Sequence, residues 1–447
     1  MAMTESIAAE APPAPFDLAG FKTFGLLWVG QMVSMIGSGL TRFALGVWVY
    51  QRTGSVTQFA VVTMCASLPA LALSPLAGAL IDRWDRRRVM IANNMGASLG
   101  TLAFVALLWH GAERIWHVYV IVVWGSLISA FELPTLIAVT SLLVPRRHLG
   151  RANGMLQFGQ AVTGVVAPLA GGLMLVSIGL AGVVLVDFAT FAFALAVLGL
   201  VRFPRPKVSA EGLESRGSLW REAAMGWSFI HRRAGLWGLL LYFAMLNLVL
   251  AIVTVLVTPM VLSFATAEVL GRVLASAGTG LVLGSVLMTV TGGPRRRIRG
   301  VLASGLVFGA AMAAVGLRPS APLIAGGLFV MMLAAPFVNG CSQAVWQSKV
   351  PPDIQGRVFA VRRMIGQFTA PIGYLAAGPL ADFVFEPLMA EGGALAPTVG
   401  ALIGVGPGRG IGLIALCLAV LPLLFTLWAW AQAPIRRIED ELPDAVS

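Results

Sequence analysis

The chain is expected to be an all-α integral membrane protein, with twelve transmembrane helices in two six-helix bundles. Three observations predict this. Hydrophobic residues make up 58% of the 447, charged residues only 11%, and mean hydropathy is +0.86, which leaves too little polar surface to cover a water-soluble globule of this size. Apolar runs of about 20 residues recur with short interruptions, the length a helix needs to cross roughly 30 Å of hydrocarbon. Landmarks of the first half of the chain also return in the second.

The apolar runs fall near residues 22–50, 55–81, 88–109, 116–143, 152–177, 180–201, 235–262, 268–291, 300–317, 321–347, 357–385 and 409–432. Prolines inside them, such as Pro69, Pro134, Pro168, Pro259, Pro336 and Pro371, would argue against soluble helices but are ordinary in membrane spans. The longest polar segment divides the chain. It predicts a tail over 1–21, a first bundle over 22–201, a central loop over 202–234, a second bundle over 235–432 and a tail over 433–447. Within the central loop Trp220, Ala224, Trp227 and Ile230 recur at helical spacing among basic residues, the pattern of an amphipathic helix on a membrane surface.

A net charge of +11 raises nucleic acid as a partner, but the basic residues lie in short loops rather than in one patch with aromatic interleaving. Their asymmetry reports orientation instead. Of the 31 Lys and Arg, 25 fall on the side of the two termini, five (Arg52, Arg114, Arg272, Arg318 and Arg409) on the other, and Arg42 within a span. The positive-inside rule therefore predicts cytoplasmic termini and a multi-pass protein of the cell membrane. The first 21 residues have Glu5, Glu10, Asp17 and several prolines and no basic n-region, so they do not read as a signal peptide. Cys65, Cys341 and Cys417 sit in separate apolar runs and read as packing residues. No metal site or cofactor is expected.

VPRRHLGR at 144–151 is echoed by VPPDIQGR at 350–357, an offset of 206 residues. Leu169, Ala170 and Gly172 recur at the same offset as Leu375, Ala376 and Gly378, and the triple arginine of 86–88 returns at 295–297. Six helices separate the copies, so the halves share one topology and are related by an axis along the membrane normal. That arrangement fits alternating access by rocking around a midplane site.

The loop after the second run reads GALIDRWDRRRV, residues 78–89. It resembles the signature loop of the major facilitator superfamily, G-x-x-x-D-R-x-G-R-R, at Gly78, Asp82, Arg83, Arg86 and Arg87. Asp85 stands where the general motif has Gly, a form similar to the macrolide-efflux and enterobactin-exporter group of multidrug-type facilitators. LLWVGQMVSMIGSGLTRFAL in the first run, VPRRHLGRANG before the fifth, VDFATFAFAL in the sixth and QGRVFAVRRM before the eleventh resemble that group too. The resemblance implies that Asp82 lies near the N-terminal end of the eleventh helix and acts as a conformational latch. The later loop copy around Gly356, Arg357, Arg362 and Arg363, in the tenth-to-eleventh connection, would be the second-half counterpart of the fourth-to-fifth connection. Two departures stand out: GGPRRRIRG has no acid in the place of Asp82, and Ser38 follows Gly37 where many relatives have an acid.

Three charges are expected well inside the membrane: Arg42, Glu132 and Asp187. Each would cost roughly 2.5 to 3.5 kcal/mol at a helix centre unless paired or hydrated, so none is expected to face lipid. Arg42 and Asp187 fall at similar depth, which points first to an ion pair and then to a protonation switch or anion contact. Glu132 has no obvious partner and is the better candidate for proton coupling or for meeting a cationic substrate. Polar stripes at helical spacing predict a hydrated cavity: Gln31, Ser34 and Ser38 with Arg42; Gln157 and Gln160; Asn247, Thr254 and Thr258; Asn339, Gln343, Trp346 and Gln347.

Together these features predict a monomeric secondary transporter for a small molecule. The resemblance implies proton-driven export of a lipophilic or amphiphilic compound such as a drug, siderophore or peptide-like metabolite. Uptake of a small polar nutrient is the alternative. An intramembrane enzyme or a non-transporting sensor is more remote. His110, His117, His148 and His231 lie near span ends or in loops without ligand spacing, and no G-x-x-x-x-G-K-[ST] loop is present.

Overall fold

The protein is described by a computed structural model covering residues 18–81, 84–144, 149–201, 227–350 and 355–441. Twelve of its helices are long and apolar enough to cross a membrane. The first six are α1 (Leu18–Thr53), α2 (Val56–Ile81), α3 (Arg86–Trp109), α4 (Ile115–Leu143), α5 (Leu149–Ser177) and α6 (Gly179–Leu200). The second six are α7 (Ala234–Leu262), α8 (Ala267–Thr291), α9 (Arg297–Leu317), α10 (Ala321–Lys349), α11 (Gln355–Pro379) and α12 (Arg409–Ala431). Asp82, Arg83 and most of the 202–234 segment lie outside the described residues.

Local chemistry sets the helix ends. Asp85, the residue that replaces glycine in the signature loop, caps α3 by accepting a hydrogen bond from the Arg88 N–H at 3.1 Å. Gly292 ends α8 with φ of 68°, a left-handed turn that glycine enters without a Cβ penalty. The helices run through their prolines, and neighbours take up the exposed backbone groups: next to Pro69, the Ala70 N–H donates to Ser126 Oγ on α4 at 3.1 Å.

Successive spans run antiparallel, and an even number of crossings puts both ends of the chain on one face, here the termini face; the other is the far face. The two halves join along α5–α8 and α2–α11. A Cβ on Gly172 of α5 would lie 2.6 Å from the Ala267 carbonyl oxygen of α8, and one on Gly278 of α8 would lie 2.9 Å from the Gly164 carbonyl oxygen. Glycine is what lets these backbones touch. The contacts run from the far face toward mid-span. The apolar core repeats the asymmetry. Val47, Val56, Phe59 and Ala60, at the far-face ends of α1 and α2, belong to the same buried cluster as the core of the second half. The termini-face cluster of the first half, built on Phe24, Leu27, Leu136, Val139 and Leu198, contains first-half residues alone. Among the described residues the halves are thus sealed at the far face and have separate cores at the termini face.

Candidate functional site

The core of the first half is interrupted at mid-depth. Its termini-face cluster and a far-face cluster built on Leu40, Leu45, Val62, Phe104 and Val183 leave a polar layer between them. Each contributing helix passes from one cluster to the other through a polar stretch: Gln31 to Arg42 on α1, Asn93 to Thr101 on α3, Ser126 to Glu132 on α4, and Asp187 on α6. These groups surround a cavity of about 150 Å³. Apolar surface from Met90, Ile121, Trp124, Ile128 and Phe191 completes its wall.

All three intramembrane charges line this one space. Glu132 therefore does have neighbours: Arg42 and Asp187 line the same cavity. The expected ion pair is corrected in form. Among the described residues the ion pairs are Arg52–Glu113, Arg272–Glu268 and Arg296–Asp440, and none joins Arg42 to Asp187 within 4.0 Å. One guanidinium stands in the field of two carboxylates instead of closing on one. Asp187 is 2% exposed, and its Oδ1 has no hydrogen-bond partner.

Asp187 gains its place through Gly37. A Cβ there would lie 2.8 Å from Asp187 Oδ1 and would collide with Thr190 Oγ1, so α6 can lay these side chains directly on the backbone of α1. Gly37→Val should overpack this contact at a cost of about 1 to 3 kcal/mol. A lowered Tm of the purified protein in detergent is the expected reading, and an unchanged Tm would mean that α1 and α6 do not meet there.

Gln31, Ser34 and Ser38 line the cavity. Ser34 Oγ donates to Asn94 Oδ1 on α3 at 3.4 Å, and the Asn94 amide donates back to the Met90 carbonyl at 2.9 Å. Sequence reasoning passed over Asn93, Asn94, Ser126 and Ser129; two adjacent asparagines inside an apolar run were the available signal. Gln160 borders a small separate cleft with Gln31 between α1 and α5, and the side chain of Gln157 lies outside the described residues.

The second-half candidates do not join this site. Asn247, Asn339 and Gln343 are absent from the cavity wall. Asn247 donates to the Phe243 carbonyl one turn back. Gln343 Oε1 accepts from Arg362 Nη1 at 2.7 Å, while Arg362 Nη2 donates to Ser342 Oγ at 3.3 Å. The Arg362 guanidinium also stands over Phe243 and Trp346, with ring centroids at 5.5 and 5.3 Å. Arg362 is thus a helix residue of α11 tied into α10, not a loop cation, because the connection ends at Gln355. Gly356, Arg357 and Arg363 likewise fall on α11, and Gly78 lies on α2. Of the signature arginines, Arg87 donates to the Leu198 and Gly199 carbonyls at 3.2 Å. It caps the C-terminal end of α6 within its own half.

Twelve apolar spans in two like halves around a charged cavity at mid-depth are the architecture of a membrane transport protein. The chain belongs to the Major Facilitator Superfamily, whose family model matches residues 27–374. It is similar to Macrolide efflux protein A of Streptococcus pyogenes, 26% identical over 368 residues that cover 80% of this chain and 89% of that protein. Multidrug efflux pump Tap of Mycolicibacterium fortuitum is 26% identical over 381 residues, covering 80% and 88%. In fold the chain is similar to a bacterial homologue of the human lysosomal transporter Spinster in an inward-facing, unoccupied conformation, with a TM-score of 0.67 at 17% identity over 92% of this chain and 97% of that one. The nucleoside transporter NupG gives a TM-score of 0.65 at 12% identity over 91% and 98%.

Proposed function

We propose that this facilitator exports a lipophilic or amphiphilic small molecule across the cell membrane as a proton-coupled antiporter, with both termini in the cytoplasm. The observation that carries the coupling is the convergence of Arg42, Glu132 and Asp187 on one mid-span cavity. Two carboxylates and one guanidinium carry a net charge of −1 when all are ionised and zero when one acid holds a proton. A proton and a substrate can therefore compete for the same acidic space. Asp187, lying against the backbone at Gly37, brings a carboxylate from α6 onto the polar stretch of α1. Large apolar side chains in the wall, Trp124 and Phe191 among them, suit an amphiphile better than a sugar.

Export is supported by the names of relatives, a macrolide efflux protein and a multidrug efflux pump. Cytoplasmic termini are supported by the placement of 25 of 31 basic residues on the termini face. In that orientation the seal at the far face is the outer gate, and the conformation described is the one that loads from the cytoplasm. The bundles at 22–201 and 235–432 are the moving bodies, joined by the 202–234 segment, and Asp82 with Gly78, Arg83, Arg86 and Arg87 forms the latch of the opposite state.

Untargeted metabolite profiling of cells and spent medium, with and without the gene, tests the direction. Export predicts that deletion raises at least one amphiphile inside the cell and lowers it in the medium. The reverse pattern, or no changed compound with a dissipated pH gradient as the only difference, would overturn it.

A further inference from the structure

At the far-face end of α11 the helix changes form. After Pro379 it widens into a six-residue π-helical stretch, Leu380–Phe385, before an α-turn resumes at Glu386–Met389. Such a bulge re-aims the side chains it carries. Here it faces Asp382 across the seam onto the first turn of α2 in the other half. Asp382 Oδ2 accepts from Ser55 Oγ at 2.8 Å and from the Thr57 N–H at 2.8 Å, while Oδ1 accepts from the Val56 N–H at 3.0 Å.

The backbone donors of α2 can be accounted for one by one. The first four N–H groups of a helix have no partner within it. Gln58 N–H finds Ser55 Oγ at 3.2 Å and Phe59 N–H finds the Ser55 carbonyl at 3.3 Å, both local. Val56 and Thr57 N–H are satisfied by Asp382, a residue of the opposite half. One turn earlier on α11, a Cβ on Gly378 would lie 2.5 Å from Thr57 Cα, so the two backbones meet where the carboxylate docks. Glu386, one turn later, makes the contrast: it accepts from the Gly408 and Ile411 N–H groups at 3.1 and 3.0 Å and caps α12 inside its own half. The Glu386 contact survives any rigid movement of one half against the other. The Asp382 contact does not.

We infer that Asp382 is the far-face clamp of the transport cycle, the side chain that holds α2 while this face is shut and must release its N-terminus for the face to open. A carboxylate suits the task because it accepts at both oxygens from three donors and complements the positive end of the helix dipole. Release leaves the α2 donors and the Asp382 carboxylate to water. The clamp is therefore strong in one state and absent from the other, as a switch requires. It rests on the alternating-access reading above. On the other face the family resemblance gives Asp82, at the opposite end of α2, a matching relation to the start of α11. The same helix pair would then be capped at one end or the other.

The test uses the full-length protein in nanodiscs with its three cysteines replaced by serine and spin labels at Ala112 and Arg318, exposed far-face positions of the two halves. Pulsed electron–electron resonance reads the distance distribution. Asp382→Asn turns an amide NH2 toward N–H donors, and it should raise the ratio of long to short distances by about fivefold, the scale of one lost charge–helix-terminus interaction. Ser55→Ala removes one of the three bonds and should give a smaller shift in the same direction. Glu386→Gln, altering a cap within one half, should lower thermal stability without moving the distribution. Asp382 variants that lose Tm but keep the parent distribution would reduce Asp382 to a structural cap and overturn the proposal. A single distance in the parent and all variants, unmoved by pH, would instead sink alternating access itself.

Discussion

Glu132→Gln should abolish export driven by a pH gradient while leaving the amount of protein in the membrane unchanged. The substitution keeps the size and hydrogen-bonding reach of the side chain and removes only its ability to ionise. A charge near the centre of a span is costly, roughly 2.5 to 3.5 kcal/mol on insertion scales, and it is retained where it is used. Glu132 shares its cavity with Arg42 and Asp187, so neutralising it fixes one acid of the group permanently in its protonated form. The remaining pair, Arg42 and Asp187, then has no net charge to exchange. Export against a concentration gradient stops, whereas substrate exchange down its own gradient continues, because the cavity and both gates are intact. Everted vesicles separate the two: quenching of a pH-sensitive dye on substrate addition is lost in the variant, and counterflow of labelled substrate persists. Undiminished gradient-driven flux in Glu132→Gln would remove this residue from the coupling.

The twelve spans were legible because each is a long apolar run between charged or glycine-rich loops, and lipid leaves the backbone no choice but helix. The predicted run 55–81 and the observed Val56–Ile81 differ by one residue. The site was legible in part, for a definite reason. A charge or a polar stripe announces itself by its cost in an apolar run, so Arg42, Glu132, Asp187 and Gln31 stood out. What spacing along one helix does not contain is which helices meet. Arg42 and Asp187 looked like a pair from depth alone, yet the bundle brings α4 to the same space and makes a group of three. Gln343 looked like a cavity residue, yet Arg362 from α11 occupies it. Asp382 drew no notice at all, since near the end of a run an acid reads as a loop residue. Only the π-helical turn and the arrival of α2 from 326 residues away along the chain give it three donors.

Gly172→Ala and Gly378→Ala should each block closure of the far face, and their equivalence follows from the internal repeat. These glycines occupy the same position in the two copies of the Leu-Ala-x-Gly sequence, 206 residues apart. The structure gives them the same task. Gly172 lies where α5 meets the backbone of α8, and Gly378 where α11 meets the backbone of α2, so each copy supplies the close approach in one of the two seams between halves. An added Cβ would stand 2.6 Å from the Ala267 carbonyl oxygen in the first case and 2.5 Å from Thr57 Cα in the second. Both obstacles are backbone, which has no rotamer in which to retreat, so the helices must separate. Overpacking of this kind costs about 1 to 3 kcal/mol, a factor of roughly 5 to 150 in the balance between closed and open far face. The cost falls only on the closed state, because the seams part when the face opens. Net transport should therefore fall by about that factor, and a cysteine introduced at Ala60, buried in the far-face seal, should become more accessible to impermeant maleimide in both variants. Gly164→Ala, on the same helix as Gly172 but with no atom within 4 Å of the added Cβ, should behave as the parent. If Gly164→Ala were as damaging as Gly172→Ala, general loss of helix flexibility would explain both, and close backbone contact would not be what the repeated glycine provides.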